Sequence, residues 1–276
     1  MRRSDIVRAG VAALFACPAG PARAAFERAP LDAASAGLGG VSVTSPDGAF
    51  GNTGRLAAAA SPKRQVSFQA SRPFGWAELT EVQAAYAQPG SGVGWALGAR
   101  RFGGVGYAET ELRAAAVHRR GPASVGLAAR GLEASGAGIA PVRSVALDAS
   151  LLLHANGPFE AGASLEAIAG DIPGDVQAKR RRVAIGVSAL VGAIARVHVE
   201  ARRRGVEPVS AAAGLSLEPV PALVFRMGAA NDPAEVTWGF SLARQPAAVD
   251  VAVQHHESLG RTVRVGFRLE SPGPAP

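Results

Sequence analysis

Leu223-Val224-Phe225-Arg226-Met227-Gly228 opens a stretch that reads in steps of two. Val236, Trp238, Phe240 and Leu242 then alternate with Thr237, Gly239, Ser241 and Ala243. Val249, Val251 and Val253 alternate with Asp250, Ala252 and Gln254, and Val263, Val265, Phe267 and Leu269 with Arg264, Gly266 and Arg268. Asn231-Asp232-Pro233, Gln245-Pro246 and Ser258-Leu259-Gly260 punctuate the runs. Period two between turn residues predicts four antiparallel strands, each with one apolar face and one small, polar or charged face.

The same alternation extends back to Arg64. It predicts ten further strands, at about 65–71, 79–87, 92–101, 107–119, 123–133, 143–154, 159–168, 182–189, 194–203 and 209–218. The expected fold is therefore all-β, an antiparallel transmembrane barrel of about fourteen strands. Prolines such as Pro89, Pro122, Pro158 and Pro246 fall between strands, where a missing N–H is harmless. Asn156-Gly157 is a hairpin signal. Every second connection is short, while Ala134–Val142 and Ala169–Arg181 read as long loops. Short turns on one rim and longer loops on the other mark an outer-membrane barrel. A soluble periplasmic β-sandwich binding module has the same alternation with its faces reversed, and it remains the alternative.

Four motifs in this stretch carry a family resemblance. Phe225-Arg226-Met227-Gly228, Asn231-Asp232-Pro233, Gly239-Phe240 and His256 with Leu259-Gly260-Arg261 resemble the C-terminal end of PorV/PorQ-type outer-membrane barrels, which stand with the FadL-like porins of hydrophobic compounds. The resemblance is strongest over residues 143–269. It implies either a conduit for small hydrophobic compounds or a non-transporting partner of a protein secretion or surface-attachment machine. Gly39-Gly40-Val41 through Asp47, Asn52, Gly54 and Leu56 resembles the plug-like segment of that group, with Thr53 where Pro is usual and Arg55 where Gly is usual. A linker carrying a short helix at Arg55–Ala60 is the other reading of this segment.

Residues 1–24 read as a signal peptide: Arg2, Arg3 and Arg8 precede an apolar run, and Ala22-Arg23-Ala24 is an A-x-A cleavage site. Leu14-Phe15-Ala16-Cys17 offers lipoprotein processing as the alternative. Residues 25–63 form the plug-like segment, 64–270 the barrel, and 271–276 a disordered tail. Loss of residues 1–24 removes four arginines and one aspartate, so the formal charge falls from +7 to +4. Cys17 is the only cysteine, which leaves a mature chain without disulfides. The longest apolar run, Val183 to Ala195, is too short for a membrane helix.

No P-loop, G-x-S-x-G, C-x-x-C or H-E-x-x-H pattern is present, so neither enzymatic activity nor a metal or cofactor is expected. His255 and His256 are adjacent on a strand and point to opposite faces. The lumen-facing candidates are Arg130, Asp148, Glu166, Arg196, His198, Glu200, Arg226, Asp250, Arg264 and Arg268, whose signs alternate around the wall and allow cross-strand pairing. Phe26, Leu38, Val41 and Phe50 are the apolar gate candidates. Lys179, Arg180, Arg181 and Arg182 and then Arg202, Arg203 and Arg204 gather on one rim, where lipopolysaccharide phosphates are the expected contact. No aromatics interleave these arginines, so nucleic acid is not an expected partner. The expected partners are outer-membrane lipid and the barrel-assembly machinery, for which Arg264–Leu269 reads as a signal, with a hydrophobic small molecule or a secretion-machine protein.

Overall fold

The computed structural model describes residues 31–45, 63–90, 92–154, 158–169 and 181–272. Fourteen strands form one sheet: β1 Lys63–Arg72, β2 Thr80–Gln88, β3 Val93–Gly104, β4 Tyr107–Arg120, β5 Ala123–Gly136, β6 Ile139–His154, β7 Phe159–Ala169, β8 Arg182–Val191, β9 Ala195–Arg204, β10 Ser210–Val220, β11 Leu223–Asn231, β12 Ala234–Arg244, β13 Ala247–His256 and β14 Gly260–Pro272. Each pairs antiparallel with its neighbours in sequence. β1 also pairs with β14, Val66 against Leu269 and Phe68 against Phe267, so the sheet closes into a barrel. One closed sheet replaces the two packed sheets of the sandwich alternative.

The faces settle how the barrel is oriented against its surroundings. Leu127, Val187, Ile185, Trp238 and Val265 are exposed on the outside, whereas Glu81, Arg100, Glu111, Glu200 and Arg264 are buried within. A soluble protein hides its aliphatic residues and solvates its charges. This distribution is the reverse, and it suits an apolar medium around the wall. The strands, nine to sixteen residues long, are long enough for a hydrocarbon core. Trp95 and Trp238 stand on the exterior, with Tyr86 tilted against Trp95 at 5.2 Å between ring centroids.

Some connections differ from the sequence reading. The expected long loop at Ala134–Val142 is instead strand: β5 and β6 continue to a tight turn at Ala137-Gly138. Gly138, at φ 74°, supplies the left-handed backbone that lets the hairpin turn there. Ser271 and Pro272, expected in the tail, pair with Arg64 and Lys63. β7 carries a bulge where Ala167, at φ 55°, turns its N–H to the Asp148 carboxylate at 2.8 Å. The second long loop, the Asn156-Gly157 turn, the helix expected at Arg55–Ala60 and the signal peptide with Cys17 fall outside the described residues.

Residues 31–45 form no part of the wall. They contain one short helix, α1 (Ala33–Gly37), capped by Asp32, whose carboxylate accepts the Ser35 N–H at 2.9 Å. Residues 33–45 are all buried. They lie inside the barrel, against β7–β14, and Leu31 also reaches β1 and β2.

Val187 lies mid-strand on the outer face and is 55 % exposed. Val187→Arg should lower stability by about 2–4 kcal/mol if this face meets the middle of a bilayer. Urea unfolding in lipid vesicles measures it. An unchanged midpoint would mean that the outer face does not contact hydrocarbon.

Candidate functional site

The lumen is lined by an ion-pair belt and crossed by residues 31–45, here called the strap. The belt follows from strand alternation, since inward positions carry charges of both signs on neighbouring strands. Arg264 donates to Glu81 at 2.6 Å, and Glu81 accepts from Arg100 at 2.8 Å. Arg100 also lies 3.6 Å from Glu109, and Arg113 bonds Glu111 at 2.8 Å. Arg130 grips Asp148 with two nitrogens, at 2.7 and 2.8 Å. Arg182 stands between Glu166 and Glu200, at 3.8 and 3.9 Å. Arg226, Ser241, Asp250 and Arg268 form a hydrogen-bonded chain on β11–β14. Charges this deeply buried must be compensated, and these are.

The strap is tied to that lining at several points. At its first residue the Leu31 carbonyl accepts from Gln69, Gln83 and Arg264, at 2.8, 3.4 and 3.4 Å. At the end of α1 the Thr237 hydroxyl accepts the Gly39 N–H at 2.9 Å and donates to the Gly37 carbonyl at 3.0 Å. Arg202 reaches the Gly40 carbonyl at 3.4 Å. The Glu200 carboxylate then accepts the Ser42 and Val43 N–H groups at 2.7 and 2.9 Å, with the Ser42 hydroxyl at 3.1 Å. Thr44 contacts His198 at 3.3 Å. Two successive amides on one fully buried carboxylate are charge-assisted bonds, roughly twice as strong as neutral ones.

The wall is carved to receive this segment. Gly214 and Gly228 stand opposite each other on β10 and β11. A Cβ on Gly228 would fall 2.3 Å from the Gly39 nitrogen, and one on Gly214 would fall 2.8 Å from Leu38 Cβ. Gly162 and Gly186 pair likewise on β7 and β8, beside Val43. Only hydrogen-sized side chains let strap backbone lie directly on sheet backbone. Leu38 and Val41 pack there against Ala212 and Ala230. On the other wall, Ala85, Ala87, Ala96, Ala115, Val117 and Ala128 form a buried apolar patch across β2–β5.

All ten lumen-facing candidates lie on the inner face. Arg130, Asp148, Glu166, His198, Glu200, Arg226, Asp250 and Arg264 are buried, and Arg196 and Arg268 are partly so. Arg196 pairs with Glu160 at 3.2 Å. Of the gate candidates, Leu38 and Val41 are in the strap, while Phe26 and Phe50 lie outside the described residues. The rim arginines need correction. Arg182 and Arg202 turn inward, to Glu166 and Glu200 and to the strap, so they do not face lipopolysaccharide. Alternation is the reason: a run of arginines on a strand divides between the two faces, and Arg181 and Arg203 are the exposed members. Lys179 and Arg180 lie outside the described residues. The sequence reading missed Thr237, Gln69, Gln83, Glu81 and Arg100 as site residues. Their inward parity was legible, but Thr237, Gln69 and Gln83 find their partners in the strap, and Glu81 links Arg100 on the next strand to Arg264, 183 residues on. His256 packs edge-on against Phe74, and among the described residues no cluster of histidine, cysteine and acidic residues could hold a metal.

No protein-family model matches the chain, and no curated protein matches it. Among solved structures, the toluene transporter TodX of Pseudomonas putida superposes with a TM-score of 0.59 over 89 % of this chain and 98 % of its own, at 11 % identity. The fold is FadL-like. An engineered porin of Rh. blastica scores 0.46 over 76 % of this chain and 99 % of its own, at 10 % identity, too low a score to bear on the fold.

The Glu200 contact gives a direct test. Glu200→Ala leaves two buried amides without their acceptor and Arg182 with Glu166 alone, and should destabilise the strap by about 3–5 kcal/mol. Thr44→Val removes one neutral contact and should cost about 1 kcal/mol. Limited proteolysis of the detergent-solubilised barrel should cut Glu200→Ala within residues 31–45 and leave Thr44→Val intact. Equal resistance of the two would remove Glu200 from its anchoring role.

Proposed function

We propose that this chain is an outer-membrane conduit for small hydrophobic compounds, and that the strap is its gate. The observation that carries this reading is a FadL-like barrel whose lumen is crossed by a separate segment resting on glycine pairs and held by side chains, not by sheet pairing. Such a segment can leave without opening the wall. The apolar patch on β2–β5 offers the surface an uncharged passenger needs, and the paired belt around it presents no uncompensated charge. TodX, which shares the fold, is named as a toluene transporter. A Sec-type signal, assembly through the Arg264–Leu269 signal, and contact of exposed Arg181 and Arg203 with lipopolysaccharide phosphates complete the proposal. Enzymatic activity does not form part of it.

One observation favours a second reading. The strap is pinned at Leu31, Gly39 and Ser42-Val43 by groups on five different strands, β1, β2, β9, β12 and β14. A barrel meant to stay shut would be built this way, and it would then serve, like PorV-type barrels, as a partner of a secretion or surface-attachment machine.

Deleting residues 32–45 separates the two. The shortened chain should still show the heat-modifiable gel mobility of a folded barrel. In liposomes it should pass small solutes that the intact protein excludes, and the intact protein should bind toluene. If both forms are equally impermeable and toluene does not bind, the conduit reading fails and the closed-partner reading stands.

A further inference from the structure

Beyond the end of the described strap, the inner wall changes character. In register across the sheet stand Val117 of β4, Gly126 of β5, Ser150 of β6, Ser164 of β7 and Ala184 of β8. Ser124 of β5 lies one row away, opposite Leu152. Ser124, Ser150 and Ser164 are 0 %, 5 % and 3 % exposed, and their hydroxyls have no hydrogen-bond partner among the described residues. Ser188, one strand further on, does have partners in Glu160 and Arg196. Buried hydroxyls are normally satisfied, because leaving one unpaired is costly. Three on adjacent strands, turned to the same lumen, need a common explanation.

We propose that this stretch of wall is a binding subsite for a small neutral compound, mostly apolar, carrying one hydrogen-bonding oxygen. The inference rests on the conduit reading and names the class of passenger. The alanines and Val117 of the β2–β5 patch adjoin the serines and supply a flat apolar floor. The three hydroxyls supply donors and acceptors that a plain hydrocarbon leaves unpaired. A carboxylate is disfavoured, because the cations bordering the patch are already engaged, Arg113 with Glu111 and Arg130 with Asp148. On β7, the strand of Ser164, Glu166 and Glu160 likewise occupy Arg182 and Arg196. The strap ends one row away from this line of serines. Val43 lies beside Gly162 and Gly186, with Leu152 next to it. The subsite therefore adjoins the strap's 41–45 end, which places it beside the gate.

Benzyl alcohol, toluene and benzoate share one ring and differ in the group that decides the question. Isothermal titration of the intact chain in detergent, against protein-free micelles, should show benzyl alcohol and toluene binding and benzoate not. The S150A/S164A double variant should weaken benzyl alcohol about tenfold and leave toluene unchanged. Its heat-modifiability transition should be unchanged or raised, because the hydroxyls hold no other part of the barrel. If the serine variant binds benzyl alcohol as the parent does, the subsite is overturned while the conduit reading survives. Benzoate binding as tightly as the alcohol overturns the neutral class, and a lowered transition in the variant overturns it by showing the hydroxyls to be structural. Binding of none of the three overturns both this inference and the conduit reading.

Discussion

A backbone surrounded by hydrocarbon has no water to satisfy its N–H and C=O groups, and that constraint governs everything else in this molecule. Fourteen strands meet it by closing β1 onto β14. Closure fixes the direction of each side chain through the period of two. The aliphatic set must then face outward, and the charged set is enclosed. Enclosed charges need partners within reach, which is why opposite signs recur on neighbouring inward positions. Arg264, Glu81 and Arg100 on β14, β2 and β3 are the tightest instance.

The strap is a second consequence of the same geometry. A lumen ringed by ion pairs, with an alanine patch across β2–β5, still has to be filled or left open. Here glycines paired at Gly214–Gly228 and Gly162–Gly186 lower the wall enough for residues 31–45 to lie on it. Holding the segment by side chains keeps it distinct from the sheet. Glu200 contributes most, because a fully buried carboxylate on two consecutive amides has no solvent to fall back on. The strap is thus part of the folded interior and also its most separable part.

Fold and inward parity were legible from residue spacing alone. The runs around Val236–Leu242 and Val263–Leu269 read as strands because nothing interrupts their alternation, and the same parity marked Glu200 and Arg264 as inward. Other features were not legible. The β5–β6 hairpin was hidden because Ala134 to Gly138 carries only small side chains, so its strand character comes from pairing with the opposite arm. The arginine runs looked like one basic rim until the strand parity divided Arg202 from Arg203. Above all, no local pattern announces that Thr237 and Glu200 contact residues 37–43. Those contacts are set by how the lumen closes around the strap, a property of the assembled barrel.

Residues 31–45 lie inside the lumen, with Ser42 to Thr44 against β9. Cysteines at Thr44 and His198, whose side chains are 3.3 Å apart, test it most directly. They would be introduced in a chain whose single Cys17 is replaced by serine. In membrane-inserted protein, mild oxidation should join the pair within one chain. Before oxidation, the Thr44→Cys thiol should resist a membrane-impermeant maleimide. A pair that stays open under oxidation, with the cysteine at position 44 labelled at the rate of an exposed rim residue, would contradict the account.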